Sequence, residues 1–202
     1  MSLKPNSNMI ELEALVIDDE QAVRRILEIM LLRYGVEPTG RPDGSSGLAE
    51  YLEHPGRYDI IITDIKMPGL NGLEVIKSIL ATSPKENIYS FSGFNHYTRE
   101  ISELIGSDHM FEKPLGLKHV GDVVKSIGTR KLRSAYPVAN DLSYIMPENT
   151  LAELGAETIK DENGTKMSLV RDNLRFIYKM AARNADRNHV YVLHNIEPVN
   201  QL

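Results

Sequence analysis

Apolar residues along this chain follow two rhythms. Short continuous runs, such as LVI before Asp18 and DIII before Thr63, read as strands buried on both faces of a parallel sheet. They predict strands over Ala14–Asp18, Asp59–Thr63, Ile88–Phe91 and His109–Glu112, with a weaker one over Val36–Arg41. Pro38 interrupts that weak run, which suits an edge position because proline cannot donate to a ladder. Between the runs the spacing changes to three and four. From Glu20 to Tyr34 it places Val23, Ile26, Leu27, Met30 and Leu31 on one helical face, and Gly35 supplies a stop. Further helices are expected over Ser45–Glu53, Gly72–Ala81, His96–Leu104 and Leu115–Ile127. Five strands, each followed by a helix, predict an α/β fold: a five-stranded parallel, doubly wound sheet with right-handed crossovers.

Acidic residues close two of these runs. Asp18 and Asp19 end the first, and Asp64 ends the third, followed by the Pro-Gly…Asn-Gly loop of ITDIKMPGLNG. Function in open α/β sheets gathers at the carboxyl ends of the strands, so these acids are expected in one crevice. Converging carboxylates repel unless a cation sits among them, and Mg²⁺, a hard ion that takes carboxylates, waters and phosphate oxygens, suits the group. Lys113, in MFEKPL, brings a positive group to the same rim. The chain has no glycine-rich nucleotide loop. Acids, Mg²⁺ and a lysine without a nucleotide cradle suit an aspartate that itself accepts a phosphoryl group.

Five motifs in order, LVIDDE, DGSSGLAEYL, ITDIKMPGLNG, IYSFSG and EKPL, resemble those of the receiver domain of two-component response regulators, a CheY-like, flavodoxin-like fold, over residues 12 to 129. The resemblance implies that Asp64 is the phosphoacceptor and that Asp19 and Asp64 ligate Mg²⁺ directly. It also implies that Asp18 acts through a metal-bound water, that the Lys66 backbone carbonyl is a further ligand, and that Lys113 and Ser92 contact the phosphoryl oxygens. The implied partner is a sensor histidine kinase or histidine phosphotransfer protein. No enzymatic activity is implied beyond the chain's own phosphorylation and dephosphorylation. A haloacid-dehalogenase-like phosphatase would also use an aspartate and Mg²⁺, but its first strand should end in Asp-x-Asp, and Asp18-Asp19-Glu20 lacks that spacing. The chain departs from the family at Met110, where receivers usually carry an aromatic residue three positions before the lysine. A thioether offers neither ring edge nor hydroxyl, and Phe111 should face the other side of its strand. Lys66 occupies a variable loop position, where its ammonium is expected to snorkel into solvent.

Composition adds boundaries. A chain of 202 residues with 42% hydrophobic content has material for a core and one or two domains. Without cysteine there is neither disulfide nor thiolate metal site. His189 and His194, five apart in a strand-like run, would lie on opposite faces. No segment approaches the ~20 apolar residues of a membrane span, and the first nine residues lack the apolar core of a secretory signal. Cytoplasmic residence is therefore expected.

The resemblance ends near Thr129. The expected organisation is an N-terminal tail over 1–11, the receiver over 12–129, a linker over 130–149 and a small, mainly helical output region over 150–202. Thr150 and Glu153 suggest a capping box, and DENGT, from Asp161 to Thr165, a turn. A helix over Ser168–Asn184 would align Val170, Leu174, Ile177, Tyr178 and Ala181, with a strand following over Val190–His194. On that helix Arg171, Arg175, Lys179 and Arg183, with Arg187 beyond, would form a basic stripe of the kind that meets DNA phosphates. The charges argue otherwise: residues 130–202 hold 10 Lys and Arg against 9 Asp and Glu, while residues 1–129 hold 13 against 19. A protein-interaction or dimerisation region, homodimers included, is thus expected ahead of a DNA-binding transcriptional output.

Overall fold

The computed structural model describes residues 10–93, 99–139, 141–162, 164–171, 174–183 and 189–199. One compact unit takes in Leu12–Leu32 and Val36–Asp122, and a second takes in the rest of the described chain. The elements alternate: β1 (Leu12–Ile17), α1 (Gln21–Arg33), β2 (Val36–Arg41), α2 (Gly44–Glu53), β3 (Ile60–Asp64), α3 (Gly72–Thr82), β4 (Ile88–Ser92), α4 (Arg99–Ile105), β5 (Met110–Glu112) and α5 (Leu117–Ala135), of which the residues from Val123 onward belong to the second unit. The strands pair in parallel in the order β2-β1-β3-β4-β5, the doubly wound sheet that the sequence predicts. Pro38 does lie on an edge strand, β2.

Local chemistry sets the helix starts. Asp43 caps α2 by accepting from the Ser46 amide at 2.8 Å, and Asn71 with Glu74 forms a capping box on α3. The helix expected from His96 begins in the described chain at Arg99, and residues 96–98 lie outside the described residues. Helix α5 runs eight residues past its expected end at Ile127. Val120, Val124, Ile127 and Leu132 keep a helical spacing and are buried, which carries the helix through Gly128, and no proline follows before Pro137.

Burial of aliphatic surface holds the sheet. Leu15, Ile17, Ile61 and Ile88 form one face of its core with Val75, Ile76 and Ile79 of α3, Ile101 of α4 and Tyr51 of α2. Glycine permits the closest approach. A Cβ at Gly47 would lie 2.5–2.8 Å from three atoms of the fully buried Ile17. At Gly72, the first residue of α3, it would lie 2.0 Å from the carbonyl oxygen of Asp64, so α3 starts directly against the end of β3.

The second unit corrects the expectation of a mainly helical output region. It contains β6 (Ile145–Pro147), the short helix α6 (Glu148–Glu153), β7 (Glu157–Asp161), β8 (Gly164–Arg171), β9 (Leu174–Arg183) and β10 (His189–Pro198). The strands form an antiparallel sheet in the order β6-β10-β9-β8-β7. Where a helix is expected over 168–184, the chain forms two paired strands: Phe176 and Tyr178 are buried at alternate positions on β9, and Met167, Ser168 and Leu169 are buried on β8. The strand form buries Phe176 and Tyr178 on one face of β9, where their rings pack on a pleated surface, flanking the β-branched Ile177. The basic stripe dissolves with the helix. Arg171 ends β8, Arg175 and Lys179 lie on β9, Arg183 ends it, and Arg187 lies outside the described residues. Arg175 faces Glu197 across the ladder at 3.7 Å. The Thr150–Glu153 capping box does not form, since α6 starts after Pro147. The stretch read as linker carries the end of α5, a 3-10 turn at Pro137–Ala139 and β6, and buries Leu142, Tyr144, Ile145 and Met146. The DENGT turn does connect two elements, β7 and β8.

The contact of Gly47 with Ile17 carries a testable consequence. Gly47→Ala is expected to lower stability by about 1–3 kcal/mol in urea unfolding, despite alanine's better helix propensity, because the methyl enters filled space. Ile17→Val in the same background should recover part of the loss, and a raised midpoint in the single variant would show that α2 can yield.

Candidate functional site

The site is assembled at the carboxyl ends of four strands. Chain leaving β1 delivers Asp18, fully buried, then the exposed Asp19 and Glu20. Asp18 is fixed on three sides: its amide donates to the Arg41 carbonyl at 3.2 Å, its Oδ1 accepts from the Glu20 amide at 2.8 Å, and its carbonyl accepts from Arg24 Nη1 at 2.6 Å. β3 ends on Asp64, which is 4% exposed. β4 ends on Ser92, whose carbonyl accepts from the Lys113 amide at 2.8 Å and so aligns the segment after β5 with it.

Lys113 is the centre of the arrangement. Its Nζ donates to Asp64 Oδ2 at 2.8 Å, to Asp18 Oδ2 at 2.9 Å and to Glu20 Oε1 at 3.3 Å, and lies 5.1 Å from the centre of the Phe91 ring. Burial alone would push this ammonium's pKa down; the hydrogen bonds and charges of Asp64 and Asp18 outweigh it, and the pKa is raised above the ordinary lysine value. Asp18 is raised as well, chiefly because burial penalises its charge, although Lys113 and the Glu20 amide act against that shift. One ammonium faces three carboxyl groups, so an excess of acid remains.

Asp18, Glu20 and Asp64 bring their oxygens within 4.8 Å of one another. A compact set of hard oxygen donors with surplus negative charge fits a divalent cation such as Mg²⁺ and is ill suited to a soft metal. An open cavity of about 650 Å³ lies over the group, lined by Asp19, Glu20, Asp64, Lys66, Met67, Pro68, Gly93 and Lys113. Of the residues expected from sequence, Asp18, Asp64 and Lys113 are thus in direct contact, and Asp19 and Lys66 line the cavity. Ser92 is buried at the end of β4 with its hydroxyl unpartnered among the described residues. Glu20 was not expected. Its signal was the third acid of LVIDDE, one residue beyond the pair, where it touches Lys113.

Behind the site Phe111 faces away from Met110, as strand alternation predicts. Its ring lies 6.0 Å from that of Tyr89 and 5.8 Å from that of His119, whereas Met110 packs against the core on the other face.

A response regulator receiver domain model matches residues 14–125. Response regulator ArlR of Staphylococcus aureus (strain NCTC 8325 / PS 47) is 24% identical over 184 residues, covering 88% of this chain and 75% of that protein. Among solved structures, the N-terminal domain of an uncharacterised protein from Wolinella succinogenes is 29% identical with a TM-score of 0.54, covering 61% of this chain and 98% of its own. A CheY-like receiver domain from Methylobacillus flagellatus is 25% identical with a TM-score of 0.53, covering 58% and 98%.

Removal of the central cation should be costly. Lys113→Ala leaves buried Asp18 and Asp64 side by side without compensation, and is expected to destabilise the metal-free chain by about 3–5 kcal/mol. Urea unfolding would measure the loss, and millimolar Mg²⁺ should restore part of it; an unchanged midpoint would show that the acids are already neutral.

Proposed function

The chain belongs to the response regulator receiver family, and from that premise we propose that it accepts a phosphoryl group on Asp64 from a sensor histidine kinase or histidine phosphotransfer protein. The observation that carries this reading is the Lys113 ammonium, shared between the buried carboxylates of Asp64 and Asp18 beneath an open cavity. An Asp64 oxygen attacks the phosphorus of the donor's phosphohistidine. The new O–P bond makes a mixed anhydride, and the N–P bond breaks with its electron pair going to the imidazole.

Each neighbour has a separate task. Lys113 stays charged and stabilises the equatorial phosphoryl oxygens as they pass through the transition state. Ser92 donates its hydroxyl to a phosphoryl oxygen once the group is in place. Asp19 and Asp64, with the Lys66 backbone carbonyl, would hold Mg²⁺ directly, and Asp18 would act through a water; Glu20, whose carboxylate oxygen lies within 4.8 Å of those of Asp18 and Asp64, would join them. Bound there, Mg²⁺ supplies charge neutralisation at the phosphoryl oxygens. Arg24 and the Glu20 amide keep Asp18 oriented. The chemistry remains on Asp64 itself, without turnover of an outside substrate.

The phosphoryl group adds negative charge and acceptor oxygens to the crevice, and the drawing-in of Ser92 biases the segment after β4. The response is read out as a protein interaction or dimerisation of the second unit. Exposed aliphatic residues on its sheet support this: Ile159, Val170 and Met180 are 37%, 46% and 48% exposed. The basic helix on which a DNA-binding output is drawn is replaced by β8 and β9, so a DNA-binding alternative would have to use Arg171, Arg175 and Lys179 from strands. No helix of the described chain is long and apolar enough to cross a membrane. A kinase partner charged from ATP would place the chain in the cytoplasm.

Two measurements test the chemistry. Asp64→Asn should abolish labelling by a small phosphodonor, since an amide is a far poorer nucleophile, and undiminished labelling would remove Asp64 from the role. Asp19→Ala should weaken Mg²⁺ binding by about tenfold or more, beyond the effect of Asp18→Ala, because direct ligation exceeds a contact through water. Equal losses in a metal titration would reverse that division.

A further inference from the structure

Two hydroxyls on one face of β4 are buried without a hydrogen-bond partner among the described residues, those of Ser90 and Ser92, each 1% exposed. Buried donors are almost always paired, because an unmade bond costs the full desolvation of the group. Ser92 ends its strand at the crevice and has an acceptor waiting in the phosphorylated form. Ser90 does not. It lies two residues back, about 7 Å deeper along the strand, out of reach of the phosphoryl group.

The ladder defines what Ser90 can meet. Its in-register neighbours are Thr63 on β3 and Met110 on β5. Thr63 is fully buried, and its hydroxyl already donates to the Asp64 carbonyl at 2.9 Å. It stands on a strand enclosed between β1 and β4. Met110 differs in both respects. It belongs to β5, a three-residue edge strand, it is half-buried, and its side chain is flexible and ends beyond a sulfur that can accept a weak hydrogen bond.

We propose that Ser90 is a positioning residue of the switch, a latch for Met110: its hydroxyl, unpartnered in the resting chain, donates to the Met110 thioether once Ser92 has turned to the phosphoryl group on Asp64. The inference rests on the reading of Asp64 and Ser92 given above. Turning Ser92 toward the crevice draws the end of β4 with it. Because the Ser92 carbonyl accepts the Lys113 amide, the chain at the end of β5 is pulled along. Met110, three residues before Lys113 on that strand, is thereby carried relative to Ser90. The resting form thus holds an unmade bond that the phosphorylated form makes, so the hydroxyl favours the second state over the first. The thioether at position 110 then has a task of its own, as the acceptor that a buried serine can capture.

The test uses the full chain, urea unfolding, and binding of beryllofluoride with Mg²⁺ as a phosphoryl mimic. Ser90→Ala should raise the resting midpoint, since it removes an unsatisfied donor, yet bind the mimic roughly five-fold more weakly. Met110→Leu, which conserves volume, should weaken the mimic to a similar degree without raising the resting midpoint. The double variant should be no weaker than either single one, the signature of one shared contact. A lowered resting midpoint in Ser90→Ala, unchanged mimic affinity, or additive losses in the double variant would overturn the latch alone. Thr63→Val weakening the mimic in place of Met110→Leu would assign the acceptor to β3 and overturn it too. Failure of the unsubstituted chain to bind the mimic would overturn the reading of Asp64 and the latch together.

Discussion

The site depends on one ammonium ion. Lys113 Nζ sits within 3.3 Å of three carboxyl groups, two of them almost wholly withdrawn from water. Without it, Asp18 and Asp64 could share this volume only by taking up protons or a metal. The arrangement explains why the strand ends are so tightly specified. α3 begins against the Asp64 carbonyl with no room for a side chain at Gly72, and the Lys113 amide is tied to Ser92. Each constraint brings the lysine and its acids from distant parts of the chain to one point.

The same concentration of charge suits phosphoryl chemistry. A lysine held between carboxylates is already oriented and partly desolvated, so it would meet a phosphoryl group with little reorganisation. The surplus of acid, with only hard oxygen donors, suits a hard divalent ion. Exposure of Asp19 and Glu20 at the cavity wall keeps that corner in water, whereas Asp18 is sealed. Buried and open carboxyl groups thus differ in how readily they can exchange a ligand.

The first unit was legible because its signals agree. Continuous apolar runs, caps at Asp43 and Asn71, and acids at strand ends all point to one topology, and the residues that converge, Asp18, Asp64 and Lys113, are those that the motifs single out. Glu20 was hidden because a third consecutive acid looks like a solvated helix start, and only the reach of Lys113 gives it a role. The largest departure in the second unit is the helix expected over 168–184. Val170, Leu174, Ile177, Tyr178 and Ala181 satisfy a helical period, but the buried set Met167, Leu169, Phe176 and Tyr178 satisfies a strand period equally well in the same stretch. In the sequence Asp172 and Asn173 stand between the two stretches, and both residue types favour turns over helix interiors. That turn chemistry, given its full weight, separates the two periods. The hydroxyl of Ser90 was not legible at all, since a serine in an apolar strand says nothing about whether its proton is used.

Both margins of the antiparallel sheet are guarded. On one side stands β7, five residues of which Glu157, Lys160 and Asp161 are charged; on the other stands β6, only three residues long and ending in Pro147. Short length, proline and charge are the means by which sheets refuse an added strand. This sheet therefore does not invite growth into fibrils or strand exchange with other chains, and whatever recognises it must read side chains on a face and leave the backbone at its rim alone.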